Sequence, residues 1–488
     1  MNRRELLLAI STAAAAASVP SIAKTRPAKS SSAKWVSTTL DRPWRDLSAR
    51  LNAAPQKNPG LFIDSANKFQ TVDGFGACFN ELGWQALSRL RADQREEVLA
   101  DFFAPNGSLR FTRCRTPIAA NDFSVKWYSY NDTPGDFDMS GFSIDHDRNA
   151  LIPYIQAAQA HQPGLTLWAS PWSPPTWMKT NGHYAQRMSN RPPDNGLKPS
   201  QVVHEGENGF IVEEKYLKAY ALYFRKFIEA YRHLGIPIDM VMPQNEWNSA
   251  QIFPSCVWKT EALAKFIPYL GDQMDPLDVE IFLGTLERPD PSQFEAIYDI
   301  PACKDLVKGF GLQWGGRGAA PFLGRKYKDL KFYQTEQECG DGENDWRYAK
   351  YTWELMKDYF TAGVNVYHYW NMALTQGKPS TWGWRQNSLV TVSADGSTYK
   401  FTPDYYMIKH LSHFLKPGAV RIQAASWSGY DNALAFLNPD GAVVIVYQNT
   451  MCEPLELSLQ IDEKLLSAEL PQDSINTLVV SPSLRSQE

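Results

Sequence analysis

The sequence predicts an α/β fold, a (β/α)8 TIM barrel carrying a small all-β side domain read as a β-sandwich. Three observations predict it. Short runs of β-branched and aromatic residues alternate with helical apolar patterns along most of the chain. After about Leu415 the periodicity changes to closely spaced strand-like runs, with turn residues such as Asn438-Pro439-Asp440-Gly441 between them. The chain of 488 residues is too long for one small domain but suits a barrel of about 250 residues or more plus a second unit.

The eight strand candidates lie near 72–79, 109–114, 165–169, 239–243, 279–283, 309–313, 331–335 and 364–369. Tyr216, Ala219, Tyr220, Tyr223, Phe224 and Phe227 recur at helical spacing and form the clearest amphipathic face. Other helical patterns run about 82–99, 150–161, 260–273 and 346–361. The Gly-rich stretch 315–330 offers little helix and is expected to be irregular. Two intervals, 116–148 and 170–212, are long and rich in Pro, Asn and aromatics. They follow strands two and three, which places them on the C-terminal barrel face, where barrel enzymes hold substrate. Residues 35–68 also read as strands that join the β-domain. The barrel is then expected over 69–414 and the C-terminal β-domain over 415–488.

Apolar residues make up 43 %, enough for a sizeable core, which excludes global disorder. The formal charge of −4, without long single-sign runs, argues against nucleic acid as a partner. The aromatics (16 Trp, 22 Tyr and 24 Phe) suit sugars, whose rings have apolar faces and hydroxyl rims. Residues 1–23 read as an export signal: Arg3-Arg4, then Leu6-Leu7-Leu8-Ala9-Ile10 and an Ala-rich run, then Ser21-Ile22-Ala23 as a small-residue cleavage site. The paired arginines indicate the bacterial twin-arginine route, hence a periplasmic or secreted protein. A Ser/Pro/Lys-rich linker follows at 24–34, and no later stretch is long and apolar enough to span a membrane. Six scattered cysteines form no C-x-x-C pair and leave disulfide pairing open.

Two sites carry the chemistry. Met242-Pro243-Gln244-Asn245-Glu246-Trp247 ends strand four, and Phe332-Tyr333-Gln334-Thr335-Glu336 ends strand seven. Each is an apolar strand with a carboxylate at its C-terminal mouth, and a closed barrel brings both to one rim. Two facing carboxylates are what glycoside hydrolysis needs: one protonates the leaving oxygen, the other attacks the anomeric carbon or activates water. Taken singly, a glutamate at a strand end is more often a cap, an ion-pair partner or a solvated rim residue. Glu338, two residues beyond Glu336 in a Gly-rich turn, is the rival nucleophile.

The motifs around these residues are Gln70-Thr71-Val72-Asp73-Gly74-Phe75-Gly76-Ala77, the run from Arg115 to Ser124 with Tyr128 and Tyr130, the run Ala169-Ser170-Pro171-Trp172 continuing to Asn181, Gln244-Asn245-Glu246, Thr335-Glu336, and Trp370-Asn371. In that order they resemble glycoside hydrolase family 30, the family of the acid β-glucosidases, from about Phe69 to Pro417 and more weakly beyond. The resemblance implies a retaining hydrolase with Glu246 as general acid/base and Glu336 as nucleophile. It also implies that Arg115 is the cation beside the nucleophile, that Asn245 bonds the sugar 2-hydroxyl and that Asp122 accepts remote hydroxyls. Trp172 and Trp370 resemble pocket walls. Trp314 and Asn387 complete the expected substrate-binding set. The chain departs from the acid β-glucosidases at Gln313-Trp314-Gly315, where they have His-Trp-Tyr, and at Trp247, where they have Pro.

No metal or organic cofactor is implied; the expected partner is a carbohydrate or glycoconjugate substrate. Gly74-Phe75-Gly76 lacks the third glycine of a dinucleotide fingerprint, and no G-x-S-x-G elbow occurs. His410 and His413 lie three apart on a helix and read as a packed pair before a metal site. His368 reads as a brace of the rim. Two kinds of alternative stand beside a retaining β-glycosidase. One keeps the fold and changes the substrate: an endo-β-1,6-glucanase, a β-xylosidase or a β-fucosidase. The other is a non-catalytic carbohydrate-binding protein.

Overall fold

The computed structural model describes residues 33–53, 59–426 and 432–485. The export signal read at 1–23 and all but the end of the linker lie outside the described residues. Eight parallel strands close into a barrel: Gly74–Cys78, Arg113–Ile118, Thr166–Pro171, Ile238–Val241, Glu280–Leu286, Val307–Gln313, Lys331–Glu336 and Val366–Asn371, the last pairing back to the first. All eight expected strands are present, but the second begins four residues later than the apolar run suggests. Leu109 and Phe111 are fully buried, yet they approach the barrel from below, with the Phe111 ring against Phe102 of the helix Ala92–Phe103. The strand itself carries Arg115, Thr116 and Pro117, because its upper half lines a polar cavity rather than a core.

The barrel interior below the site is filled by Trp168, Met240, Met242, Phe282, Tyr333 and Val366. Gly311 makes this packing possible, since a Cβ there would stand 2.6 Å from both Met242 Cε and Thr335 Cγ2. His368 sits in the same layer with a fixed neutral ring. Its Nε2 accepts from the Trp168 indole at 2.9 Å, its Nδ1 donates to the Gln334 carbonyl at 2.7 Å, and burial pushes its pKa down to about 3.

Around the barrel the helix Glu214–His233 buries Leu217, Tyr220, Tyr223, Phe224, Phe227, Ile228 and Tyr231 on one face, as its periodicity dictates. The pattern at 82–99 becomes two helices, Glu81–Ser88 and Ala92–Phe103. The Gly-rich stretch corrects the expectation of irregular structure. A 3-10 turn covers Trp314–Ala319, and the helix Ala320–Lys326 follows with Pro321 in its first turn. Its glycines serve close approach: a Cβ on Gly316 would fall 2.2 Å from the Leu286 carbonyl.

The two long loops are pinned from beneath. Tyr128, Tyr130 and Tyr231 each donate to the buried Asp147 carboxylate at 2.6 Å, which fixes the loop that follows strand two. Lys179 anchors the loop after strand three. Its ammonium donates to Ser173 Oγ at 3.1 Å and to the Ser255 carbonyl at 2.6 Å.

The second domain is a ten-stranded sheet among the described residues. Strands Ala33–Thr39 and Leu61–Val72 from the start of the chain join Ala419–Ser426 and its successors. Trp35, Leu61, Ile445, Leu459, Leu466 and Leu478 come from distant parts of that sheet yet share one core, so the sheet folds back on itself as a sandwich. The strand Lys464–Leu470, absent from the sequence reading, pairs antiparallel with Leu455–Ile461. His410 ties the domains together by bonding Thr477 at 2.8 Å and Thr38 at 2.9 Å, which accounts for both of its ring nitrogens. His413 bonds the Ser108 carbonyl at 2.9 Å. Among the described residues no helix is long and apolar enough to cross a membrane. All six cysteines stand as free thiols.

Candidate active site

Strand four, Ile238–Val241, leads into a sharp turn that carries Glu246. Glu246 has a φ of 51°, a left-handed conformation that costs an L-residue on the order of 1–3 kcal/mol. The turn is held because the Glu246 N–H donates to Thr285 Oγ1 at 2.8 Å and its carbonyl accepts the Ser249 N–H at 3.0 Å. The side chain is thereby fixed over the barrel mouth.

Glu336, at the end of strand seven, faces it. Arg115 Nη1 donates to Glu336 Oε2 at 2.9 Å, and the Trp314 indole donates to Oε1 at 2.8 Å. Arg115 is wholly buried and also donates to Asn245 Oδ1 at 2.7 Å and Ser170 Oγ at 2.8 Å. Its guanidinium lies 4.2 Å from the centroid of the Trp172 ring.

Gln313 joins the two carboxylates. Its Nε2 reaches Glu246 Oε1 at 3.1 Å and Glu336 Oε2 at 3.3 Å. Those two oxygens therefore stand no further apart than the sum of these distances, about 6.4 Å. The amide cannot be turned over without loss, because its oxygen accepts from Thr335 Oγ1 at 2.9 Å and Arg115 at 3.3 Å. The sequence reading registered Gln313 only as a departure from the family and missed its place between the carboxylates. The available signal was its position as the last inward-facing residue of strand six. Thr285 and Gln251, which support Glu246, were missed for want of any motif.

The two acids differ in electrostatics. Burial lifts the Glu246 carboxyl well above the usual carboxylate range, and the charges of Glu287 and Glu336 lift it further. Burial also raises Glu336, but Arg115, Trp314 and Gln313 pull it back. These neighbours favour the neutral acid at Glu246 more than at Glu336.

The remaining expected residues fall in different places. Asn245 spends its amide oxygen on Arg115, on Thr285 Oγ1 at 3.2 Å and on Gln313 at 3.1 Å, which leaves its NH2 to donate. Asp122 is buried, and its Oδ1 has no partner among the described residues. Burial and the charge on Glu336 raise its carboxyl well above the usual range. Trp370 stacks on Trp172 at 5.5 Å, and both are almost wholly enclosed, so they form a floor rather than the walls expected. The buried Trp370 Nε1 also lacks a partner. An unpaired acceptor and an unpaired donor suit an incoming polyol.

Trp314 belongs to the cluster through its indole N–H, which it spends on Glu336. Asn387 does not join it. Its oxygen accepts the Gly342 and Asn344 N–H groups at 3.0 and 3.1 Å, and its nitrogen donates to Asp404 at 3.3 Å, so it braces the turn after strand seven. Glu338 is held in that turn by the Tyr351 hydroxyl at 2.7 Å.

Comparison with known proteins matches both domains of the chain. Residues 72–252 match the glycosyl hydrolase family 30 TIM-barrel domain, and residues 418–478 match the glycosyl hydrolase family 30 beta sandwich domain. Putative glucosylceramidase 1 of Caenorhabditis elegans is 29 % identical over 442 residues, 83 % of this chain and 79 % of that protein. Lysosomal acid glucosylceramidase of Mus musculus is 28 % identical over 93 % of this chain and 90 % of its own length. Endo-1,6-beta-D-glucanase neg1 of Aspergillus fumigatus is 27 % identical over 87 % of this chain and 89 % of its own. The crystal structure of SrfJ from Salmonella typhimurium shares the fold, with a TM-score of 0.80 and 22 % identity across 93 % of this chain and 100 % of that one. The chain carries the barrel and beta sandwich domains of glycosyl hydrolase family 30 and is a glycosidase acting on O-glycosyl bonds.

Proposed function

We propose that the protein is a retaining β-glucosidase in which Glu336 is the nucleophile and Glu246 the general acid/base. The observation that carries this reading is the single Gln313 nitrogen within hydrogen-bonding reach of both carboxylates. The resulting limit of about 6.4 Å between their oxygens accommodates the roughly 5–5.5 Å of a direct displacement.

In the first step Glu336 Oε attacks the anomeric carbon while Glu246 gives its proton to the leaving oxygen. The glycosidic bond breaks and a glycosyl ester of Glu336 forms. In the second step Glu246, now ionised, takes a proton from water as the water oxygen attacks the same carbon. The ester bond breaks, Glu336 returns as a carboxylate, and the configuration is restored. Arg115 and Trp314 stabilise the Glu336 carboxylate before attack and as it departs. The Asn245 amide donates to the 2-hydroxyl, and Asp122 accepts hydroxyls at the far end of the ring.

Glucose as the bound sugar is supported by the relatives named for glucosylceramide and for β-1,6-glucan. In the same reading the leader at 1–23 exports the enzyme, and the sandwich domain supports the barrel through contacts such as those of His410. The test is proton NMR of an aryl β-glucoside digest. The β-anomer of glucose appears first under this mechanism, whereas initial α-glucose contradicts it.

A further inference from the structure

One side-chain amide serves both carboxylates. Gln313 Nε2 carries two hydrogens and faces three acceptors: Glu246 Oε1 at 3.1 Å, Asn245 Oδ1 at 3.1 Å and Glu336 Oε2 at 3.3 Å. Two hydrogens cannot satisfy three acceptors at once, so their placement depends on which acceptor is the strongest. The remaining oxygens of the pair have donors of their own. Glu336 Oε1 accepts from the Trp314 indole at 2.8 Å, and Glu246 Oε2 from Gln251 Nε2 at 3.2 Å. Glu336 Oε2 also has Arg115 at 2.9 Å, whereas the donor to Glu246 Oε1 is Gln313. Gln313 is wholly buried, and Thr335 and Arg115 hold its oxygen, so its nitrogen stays between the two acids.

The geometry points to Gln313 as a positioning residue for both chemical steps, its N–H groups following the negative charge from Glu336 to Glu246 as the glycosyl ester forms, and back as the ester is hydrolysed. This rests on the roles proposed above for Glu246 and Glu336. A hydrogen bond to an ionised acceptor is roughly twice as strong as one to a neutral acceptor, so the N–H pair favours whichever carboxyl carries the charge. Before attack that carboxyl is Glu336, and Glu246 holds the proton. Once the ester has formed, Glu336 is neutral and Glu246 has given its proton away. The same nitrogen already lies within reach of Glu246 Oε1, so the side chain need not rotate, and no proton leaves the amide. An ammonium in this place would set a fixed charge against both acids, and an imidazole would titrate beside them. A neutral amide does neither, and its two hydrogens match the two steps.

The experiment compares the full chain with Gln313→Met, which keeps the side-chain length and removes both N–H groups. The Gln313 donor lowers both carboxyls, so deleting it raises both. Both limbs of kcat/KM on an aryl β-glucoside should therefore move to higher pH, which a loss of packing alone would not produce. The other titratable groups facing the pair stay in place: Arg115, Asp122, Glu287, Arg288 and the buried thiols of Cys78 and Cys339. A 2-deoxy-2-fluoroglucosyl donor reads the two steps apart. Ester formation and ester hydrolysis should each slow by roughly tenfold to a hundredfold, the worth of one hydrogen bond to a charged group. Gln313→Asn withdraws the amide by one methylene and keeps the site polar. It should shift both limbs the same way, and it guards against a folding failure of the first variant. Limbs that stay fixed in both variants, or a loss confined to one step, overturn the role of Gln313 and leave the two glutamates as assigned. If the unaltered protein forms no ester, the assignment of the nucleophile falls, and this proposal with it.

Discussion

The floor around Glu336 and the rim around Glu246 hold the same kind of residue in opposite surroundings. Glu336 is ringed by donors: a guanidinium, an indole N–H and an amide. Among the described residues Glu246 accepts from two neutral amides, and it looks out on Glu287 and Glu336. Both are buried, and burial favours the neutral acid in each case. What separates them is the sign of the neighbours. The contrast teaches how one barrel mouth can favour the ionised form more at one carboxyl than at the other, with Gln313 spanning the two, which is the division of charge that the proposed nucleophile and acid need.

The largest expected effect comes from abolishing one member of the contrast. Glu336→Gln should lower kcat on an aryl β-glucoside by about 10⁴- to 10⁶-fold, the scale of losing a covalent nucleophile. Near-normal turnover in that variant would remove Glu336 from the mechanism. Glu246→Ala should cost about 10²- to 10⁴-fold with poor leaving groups and much less with dinitrophenol. Added azide should restore part of the rate and yield a β-glycosyl azide; equal losses for all leaving groups would argue against proton donation.

Two milder changes sharpen the comparison through pH. Trp314→Phe deletes a donor to the Glu336 carboxylate, so the pKa of Glu336 rises and the acid limb of kcat/KM moves to higher pH. Glu287→Gln deletes a negative neighbour of Glu246, so the Glu246 pKa falls and the basic limb moves to lower pH. Groups facing Glu246 from other elements, namely Glu336, Asp122, Gln313 and Gln251, are unchanged in that variant. An acid limb that stays fixed in the first variant, or a basic limb that stays fixed or rises in the second, would break the proposed division of charge.

Much of this was legible in the sequence. The barrel strands are short β-branched and aromatic runs; Glu336 ends one and Glu246 stands in the turn that follows another, so topology alone brings the two glutamates to one rim. Arg115 and Asn245 were legible for the same reason. Less visible were contacts made by strand-end amides and hydroxyls, because Gln313, Thr285 and Gln251 belong to no spacing pattern and act only once the barrel closes. Asn387 shows the opposite failure. An Asn near a family motif looks available, but two backbone N–H groups and Asp404 consume its polar atoms. Strand two was misplaced because a strand that lines a polar cavity loses the apolar signature that its lead-in residues keep.

The central claim is that Glu336 bonds covalently to the anomeric carbon while Glu246 handles the proton. Peptide mapping by mass spectrometry, after inactivation with a 2-deoxy-2-fluoro-β-glucosyl donor, tests it most directly. The account predicts a single fluoroglucosyl label on Glu336 in the peptide spanning Phe332 to Glu338. A label on Glu246, Glu287 or Glu338 would contradict it.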